Sequence, residues 1–255
     1  MQYIDRANEG VKTLLPYQAG KPIEELEREL GIENIIKLAS NENPFGLPPS
    51  AKKAIQAQLD NLHLYPDSNG FYFKQAVAKK FGLQPEQITL GNGSNDLIEL
   101  IAHTFTSEQD EVIYSQYGFI VYPLISQALN AKRVEIPAKN YGNDLKEFLN
   151  AITPKTKLIY IANPNNPTGS FANAAEITDF LAQVPPQVDC GIRRSLCGIY
   201  RAERTGGFFR FVGEIPEPYR VPHPFQSLRI SRFAYRLCGF LSGNCRLVKS
   251  RTPTF

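Results

Sequence analysis

Lys157-Leu158-Ile159-Tyr160-Ile161, followed by Asn163-Pro164-Asn165-Asn166-Pro167-Thr168-Gly169, is the stretch that decides the fold. The first five residues are a short apolar run with two β-branched side chains, which reads as a strand. The heptapeptide stops it: two prolines fix the backbone, and asparagine side chains are presented at the strand's carboxyl end. A helix near 173–183 follows. Working back toward the N-terminus, the same unit recurs. Strand 132–136 precedes a helix near 144–152, strand 111–114 a helix near 118–130, and strand Ile88-Thr89-Leu90 a helix from Ser94 to about 106. Strand–helix alternation with short connections predicts an α/β fold, a mostly parallel sheet flanked by helices. In such sheets ligands bind beyond the carboxyl ends of the strands.

Before this region, residues 1–34 read as an N-terminal arm. It carries a short helix, Glu24-Glu25-Leu26-Glu27-Arg28-Glu29-Leu30, stopped by Gly31. Ile36-Lys37-Leu38-Ala39 reads as a strand ending in a turn-rich loop through Gly46. Helices near 49–60 and 71–81 flank the polar loop from His63 to Gly70.

Past Asp189 the chain changes character. Residues 1–189 hold three Arg, thirteen Lys and no Cys; residues 190–255 hold eleven Arg, one Lys and all four Cys. The front has 16 basic residues against 22 acidic, and the tail 12 against 3. The basic balance therefore belongs to the tail alone. That tail lacks interleaved aromatics or any nucleic-acid-binding motif, so no nucleic-acid partner is expected. The organisation reads as an arm (1–34), a partial α/β domain (35–189) and an aberrant, irregular tail (190–255). The cysteines lack metal-site spacing, so no metal is expected. No apolar run approaches the roughly 20 residues of a membrane span. Without a signal pattern, and with a cysteine-free front, the expected location is cytoplasmic.

Three polar motifs fall at predicted strand ends. Gly91-Asn92-Gly93-Ser94-Asn95-Asp96 lies between strand and helix, where glycines and free N–H groups suit a phosphate. Taken alone, the motif reads first as a plain strand–helix turn with Ser94 or Asn95 as N-cap. Tyr114-Ser115-Gln116-Tyr117-Gly118-Phe119 offers an aromatic for stacking on a planar ring, or for the core. The Asn-Pro heptapeptide is the third.

Together these segments resemble the fold-type I family of pyridoxal-phosphate enzymes, and within it the histidinol-phosphate aminotransferases. The resemblance covers about residues 14–188. It rests on Leu15-Pro16-Tyr17, Lys37-Leu38-Ala39-Ser40-Asn41-Glu42-Asn43-Pro44, Tyr65-Pro66-Asp67, Gly91 to Asp96, Tyr117-Gly118-Phe119 and Asn163 to Gly169. It implies that Ser94 and Asn95 hold the phosphate of pyridoxal 5'-phosphate, Tyr117 stacks on its ring and Asn166 bonds its phenolic oxygen. It implies that Tyr65 reaches the other subunit's cofactor in a homodimer, and that Tyr17 and Asn41 line the small-molecule substrate side. The amino group would pass between histidinol phosphate and 2-oxoglutarate, in histidine biosynthesis. An aminotransferase of the same fold acting on an aromatic amino acid is the alternative.

Two family segments should follow: Asp-Glu-Ala-Tyr, whose Asp pairs with the ring nitrogen, and Ser-Lys, whose Lys forms the Schiff base. Neither is present; the lone tail lysine, Lys249, has no matching context. Reading Ile192 to Tyr200 through the codons ATT CGA CGA AGC CTA TGC GGA ATT TAC and dropping one base gives Phe-Asp-Glu-Ala-Tyr-Ala-Glu-Phe. The same shift from Pro222 to Cys238 gives a run containing Leu-Ser-Lys-Ala-Tyr-Gly. The expectation is a one-base frameshift close to Asp189, leaving an inactive fragment with an incomplete sheet, a tail without a core pattern and no catalytic lysine.

Overall fold

The computed structural model describes residues 3–15, 20–37, 43, 45–81 and 83–193, together with the backbone of 234–235 and 247–248. Four strands, β1 (Glu111–Ser115), β2 (Lys132–Ile136), β3 (Thr156–Ala162) and β4 (Asp189–Arg193), form one parallel sheet in the order β2-β1-β3-β4. Eight helices accompany them: α1 (Glu9–Lys12), α2 (Ile23–Leu30), α3 (Pro49–Gln56), α4 (Phe71–Phe81), α5 (Ser94–Phe105), α6 (Val121–Ala128), α7 (Leu145–Asn150) and α8 (Ala174–Gln183). Two dipeptides, β5 (Ala234–Tyr235) and β6 (Leu247–Val248), pair antiparallel apart from this sheet.

Alternation along the strands splits the core into two faces. Val112, Tyr114, Leu158 and Tyr160 point to one side, where α5 supplies Leu97, Ile98 and Ile101 and α6 supplies Tyr122 and Ile125. Ile113, Ile159, Ile161, Cys190 and Ile192 point to the other, against Phe148 of α7 and Ile177 and Phe180 of α8. The central strands are buried on both faces, which is why their sequences are apolar runs rather than alternating ones. On the β2 edge Lys132, Arg133 and Glu135 are exposed. Charges on an open edge disfavour pairing with another chain.

Caps set the helix ends. Asn173 and Glu176 make a reciprocal capping box at α8, and Asp144 accepts from Glu147 N at α7. Gly31, at φ 63°, closes α2. The arm is docked at α1: Gln127 Nε2 of α6 donates to Gly10 O and to Thr13 Oγ1, both at 3.2 Å. A Cβ on Gly10 would run into the Gln127 carbonyl, so only glycine allows this approach.

The structure corrects the expected elements in four places. Ile88-Thr89-Leu90 is not a strand; Thr89 makes a single bridge, and Ile88 is buried with Val77, Ala78 and Leu83, so apolar packing holds the segment extended. Ile36 and Lys37 belong to no strand, and the rest of that expected strand lies outside the described residues. The helix expected over 49–60 ends at Gln56, with a 3-10 turn at Leu59–Asn61. The helix expected from 118 begins at Val121, because Gly118 N turns back to Ser115 O at 2.7 Å. In addition, β4 runs past Asp189 to Arg193: Cys190 and Ile192 lie on the α7–α8 side, and the strand pairs with β3. Apart from the β5–β6 pair, the rest of the expected irregular tail lies outside the described residues.

At the amino end of the sheet, the buried Glu111 carboxylate accepts from Lys132 Nζ (2.8 Å), Thr153 Oγ1 (2.6 Å) and Thr156 Oγ1 (3.4 Å). The Lys132 bond, followed by the Thr153 bond, holds its pKa below the ordinary 4.5, burial opposing. A lowered folded pKa means the stabilisation is complete above 4.5 and is lost as pH falls through the folded value. Glu111→Gln is expected to cost about 1–3 kcal/mol at neutral pH. That difference should shrink on acidification below pH 4.5 in urea melts run across pH.

Candidate active site

The chain leaves β1 through α6 to reach β2 on one side, then recrosses β1 through α7 to reach β3 on the other. The winding direction therefore reverses between β1 and β3. In open parallel sheets the crevice beyond the carboxyl ends at this switch point is where ligands bind. The expected motifs after β1 and β3 open onto it, and the N-terminus of α5 stands beside the carboxyl end of β4.

Beyond β1, Tyr117 is 41% exposed, and its ring lies 5.6 Å from that of Tyr141. Tyr141 itself sits at φ 59°, next to Asn140 at 50°, with its carbonyl accepting from Ser170 Oγ at 3.1 Å. Beyond β3, Asn163 Nδ2 donates to Ala172 O (2.8 Å) and its Oδ1 accepts from Ala172 N (2.8 Å), so it pins the loop to the start of α8. Asn165 Nδ2 donates to Tyr117 O at 2.9 Å and to Thr168 Oγ1 at 2.8 Å. Asn166 is half-buried in the same loop.

At α5, the N-cap residue is Gly93, at φ 100° and ψ 152°, a conformation open essentially to glycine alone. It offers no side-chain cap, so the helix start keeps backbone N–H groups without an intrahelical partner. Asp96 Oδ2 takes one loop donor, Asn92 N, at 2.7 Å. Ser94 Oγ accepts from Arg193 Nε at 3.1 Å, which leaves the hydroxyl proton available to an anion. Arg193, 7% exposed at the end of β4, lies with its guanidinium carbon 3.7 Å from the centre of the Phe119 ring. Behind it Tyr122 stacks on Tyr160 at 4.7 Å, and Tyr160 Oη donates to Ile98 O. Burial pushes both phenols well up, the nearby Arg193 charge partly offsetting the effect at Tyr122.

Ser94, Asn95, Tyr117 and Asn166 thus lie on the segments expected to cradle a phosphate ester and its ring. Tyr65 does not: it is fully exposed on the loop before α4, where Asp67 accepts from Asn69 N (3.0 Å) and Phe71 N (2.6 Å). Tyr17 and Asn41 lie outside the described residues. Sequence reasoning missed Asn165 and Arg193. The Asn165-Asn166 doublet was the available signal for the first; the second sits past the compositional break. Two buried oxygens near the crevice, Ser115 Oγ and Asn165 Oδ1, have no hydrogen-bond partner among the described residues.

The family model described as aminotransferase class I and II matches residues 33–187, ending two residues before Asp189. A histidinol-phosphate aminotransferase of Pasteurella multocida is 78% identical over 188 residues, 74% of this chain and 52% of that protein. One of Haemophilus influenzae is 72% identical over 246 residues, 95% of this chain and 64% of that protein, so its match takes in residues past Asp189. The chain spans between about half and under two thirds of these relatives' lengths. Among solved structures, the Sinorhizobium meliloti histidinol-phosphate aminotransferase in complex with pyridoxal-5'-phosphate superposes with a TM-score of 0.78 at 22% identity. That match covers 96% of this chain and 63% of that one. No described helix is long and apolar enough to cross a membrane.

Proposed function

The chain belongs to the class I and II aminotransferase family, and from that premise we propose that it is the cofactor-cradling part of a histidinol-phosphate aminotransferase, without the cofactor's covalent anchor. The intact enzyme would move an amino group between histidinol phosphate and 2-oxoglutarate on pyridoxal phosphate. The identity to relatives of that name supports this substrate over an aromatic amino acid. The carrying observation is the convergence of the α5 N-terminus, Tyr117 and the 163–169 loop on the switch-point crevice.

The residues fit one part of the cofactor and not another. Ser94 Oγ–H and the first N–H groups of α5 suit its phosphate, the Tyr117 face suits its ring, and Asn166 is the donor for its phenolic oxygen. At the end of β4 the fit fails. With the codons chosen above, the shifted frame would put Asp at the position of Arg193, whereas this chain presents a guanidinium there. A cation at that point disfavours a protonated ring nitrogen. The cofactor, when bound, supplies the electron sink for breaking the bond at the substrate's amino carbon. The chain's residues bind and orient; the lysine that would attach the cofactor and move the proton is not in the sequence in its family context. A homodimer belongs to the same reading, and the full exposure of Tyr65 is compatible with its contact to a second subunit.

Pyridoxamine 5'-phosphate needs no lysine for binding, so its fluorescence on titration tests this reading. The 255-residue chain is expected to bind it, and Ser94→Ala and Tyr117→Ala each to weaken binding by about tenfold. Equal binding by all three chains would place the ligand elsewhere. The frameshift reading has its own check in the Haemophilus comparison: identities spread evenly on both sides of residue 189 would refute it.

A further inference from the structure

Asn165 is 2% exposed, and its side chain uses both amide protons on partners in two different loops. One goes to Thr168 Oγ1 within its own turn, at 2.8 Å; the other crosses to the Tyr117 carbonyl, at 2.9 Å. The main chain of Asn165 is itself clamped: its N donates to Ser170 O (2.8 Å), and its O accepts from Gly169 N (3.0 Å). A fixed donor therefore grips the backbone of the residue whose ring faces the crevice. Its Oδ1, by contrast, is buried and accepts nothing from the described residues. A buried acceptor without a partner is unfavourable. The amide at 165 is thus a poor choice for packing alone and a good one for holding two loops in register.

We propose that Asn165 is a positioning residue: its carboxamide ties the loop after β3 to the Tyr117 carbonyl, and so sets the spacing between the Tyr117 ring face and the Asn166 amide across which the ligand ring must fit. The proposal rests on the reading that the crevice seats a pyridoxal-type phosphate ester. Asn166 supplies the contact with the ligand; its neighbour supplies the geometry of that contact. Asn165→Leu keeps the shape and removes both donors. Asn165→Asp keeps the shape and turns an oxygen toward the Tyr117 carbonyl, which repels it.

Two readouts test this on the full chain. The first uses no ligand. The sequence contains no tryptophan, so Tyr117→Trp introduces a sole indole at the crevice. Adding Asn165→Leu or Asn165→Asp to it is expected to raise acrylamide quenching about twofold or more at unchanged far-UV circular dichroism. The second is pyridoxamine 5'-phosphate affinity on the Tyr117 background, expected to fall about tenfold in both Asn165 variants, as misplacement of a binding group by a fraction of an ångström does. Both changes together, in either variant, support the proposal. An indole indifferent to residue 165, or an affinity indifferent to it while the unsubstituted chain binds, overturns the proposal and leaves the cofactor reading standing. Absence of binding by the unsubstituted chain overturns the cofactor reading and the proposal with it.

Discussion

Removing one base from the gene at the codon for Ile192 is expected to give a working aminotransferase, where the 255-residue chain is expected to show no turnover. The restored frame would read Phe-Asp-Glu-Ala-Tyr at the end of β4 and Leu-Ser-Lys-Ala-Tyr farther on. Two changes follow at the crevice. The guanidinium of Arg193, now on Ser94 Oγ and over the Phe119 ring, gives way to a carboxylate. A lysine becomes available to attach the cofactor and carry the proton. General acid–base and covalent catalysis each act over orders of magnitude, so the gain in kcat should be on the order of 10⁴-fold or more. Glutamate formation from 2-oxoglutarate and histidinol phosphate measures it. Turnover by the 255-residue chain itself would refute the reading, and so would a shifted frame that fails to encode these two segments. Substituting Arg193 alone by Asp is expected to restore the charge but no turnover, because the lysine is still missing.

Phe148→Ala carries the largest expected loss of stability. The ring is fully buried beneath the sheet between α7 and α8, meeting Phe180 edge-on at 6.3 Å in the cluster formed by Ile136, Ile159, Ile177 and Val184. Removing it takes away the transfer free energy of a phenyl group and leaves a void that rigid strands on one side cannot fill. The expected cost is about 3–5 kcal/mol, a fifth or more of the roughly 5–15 kcal/mol typical of a whole domain. Urea unfolding followed by far-UV circular dichroism should show the midpoint falling. A double-mutant cycle with Phe180→Ala should show non-additivity from the shared cavity. A loss below 1 kcal/mol would mean that α7 and α8 close over the gap.

Much of the fold was legible because buried parallel strands advertise themselves. The runs at 111–115 and 156–162 are short, largely apolar or β-branched and punctuated by turns, while the edge run at 132–136 keeps only Val134 and Ile136 as β-branched signals. Their register, order and shared crevice follow from topology rather than from any local signal. Ile88-Thr89-Leu90 has the same local look, yet apolar contact with α4 satisfies it without a ladder. Strand β4 hid for the opposite reason: its residues sit astride a change in composition, and only pairing with β3 reveals them as sheet. At the site, Tyr117 and the Asn-Pro heptapeptide stood out by residue type. Which asparagine of the 165–166 doublet turns inward to grip the neighbouring loop depends on side-chain direction, which spacing does not encode. Arg193 was invisible because nothing local marks a tail arginine as the neighbour of Ser94.

The way α6, α7 and α8 each join strands no more than two positions apart in the sheet has a consequence for biosynthesis. Among the described residues, every contact that builds the two faces of the interior is made by residue 193. A ribosome that has passed that codon has already released each of those residues. A genetic lesion at such a point would abolish chemistry while sparing architecture, and its product would accumulate as a shaped but idle protein rather than be cleared as an unfolded one.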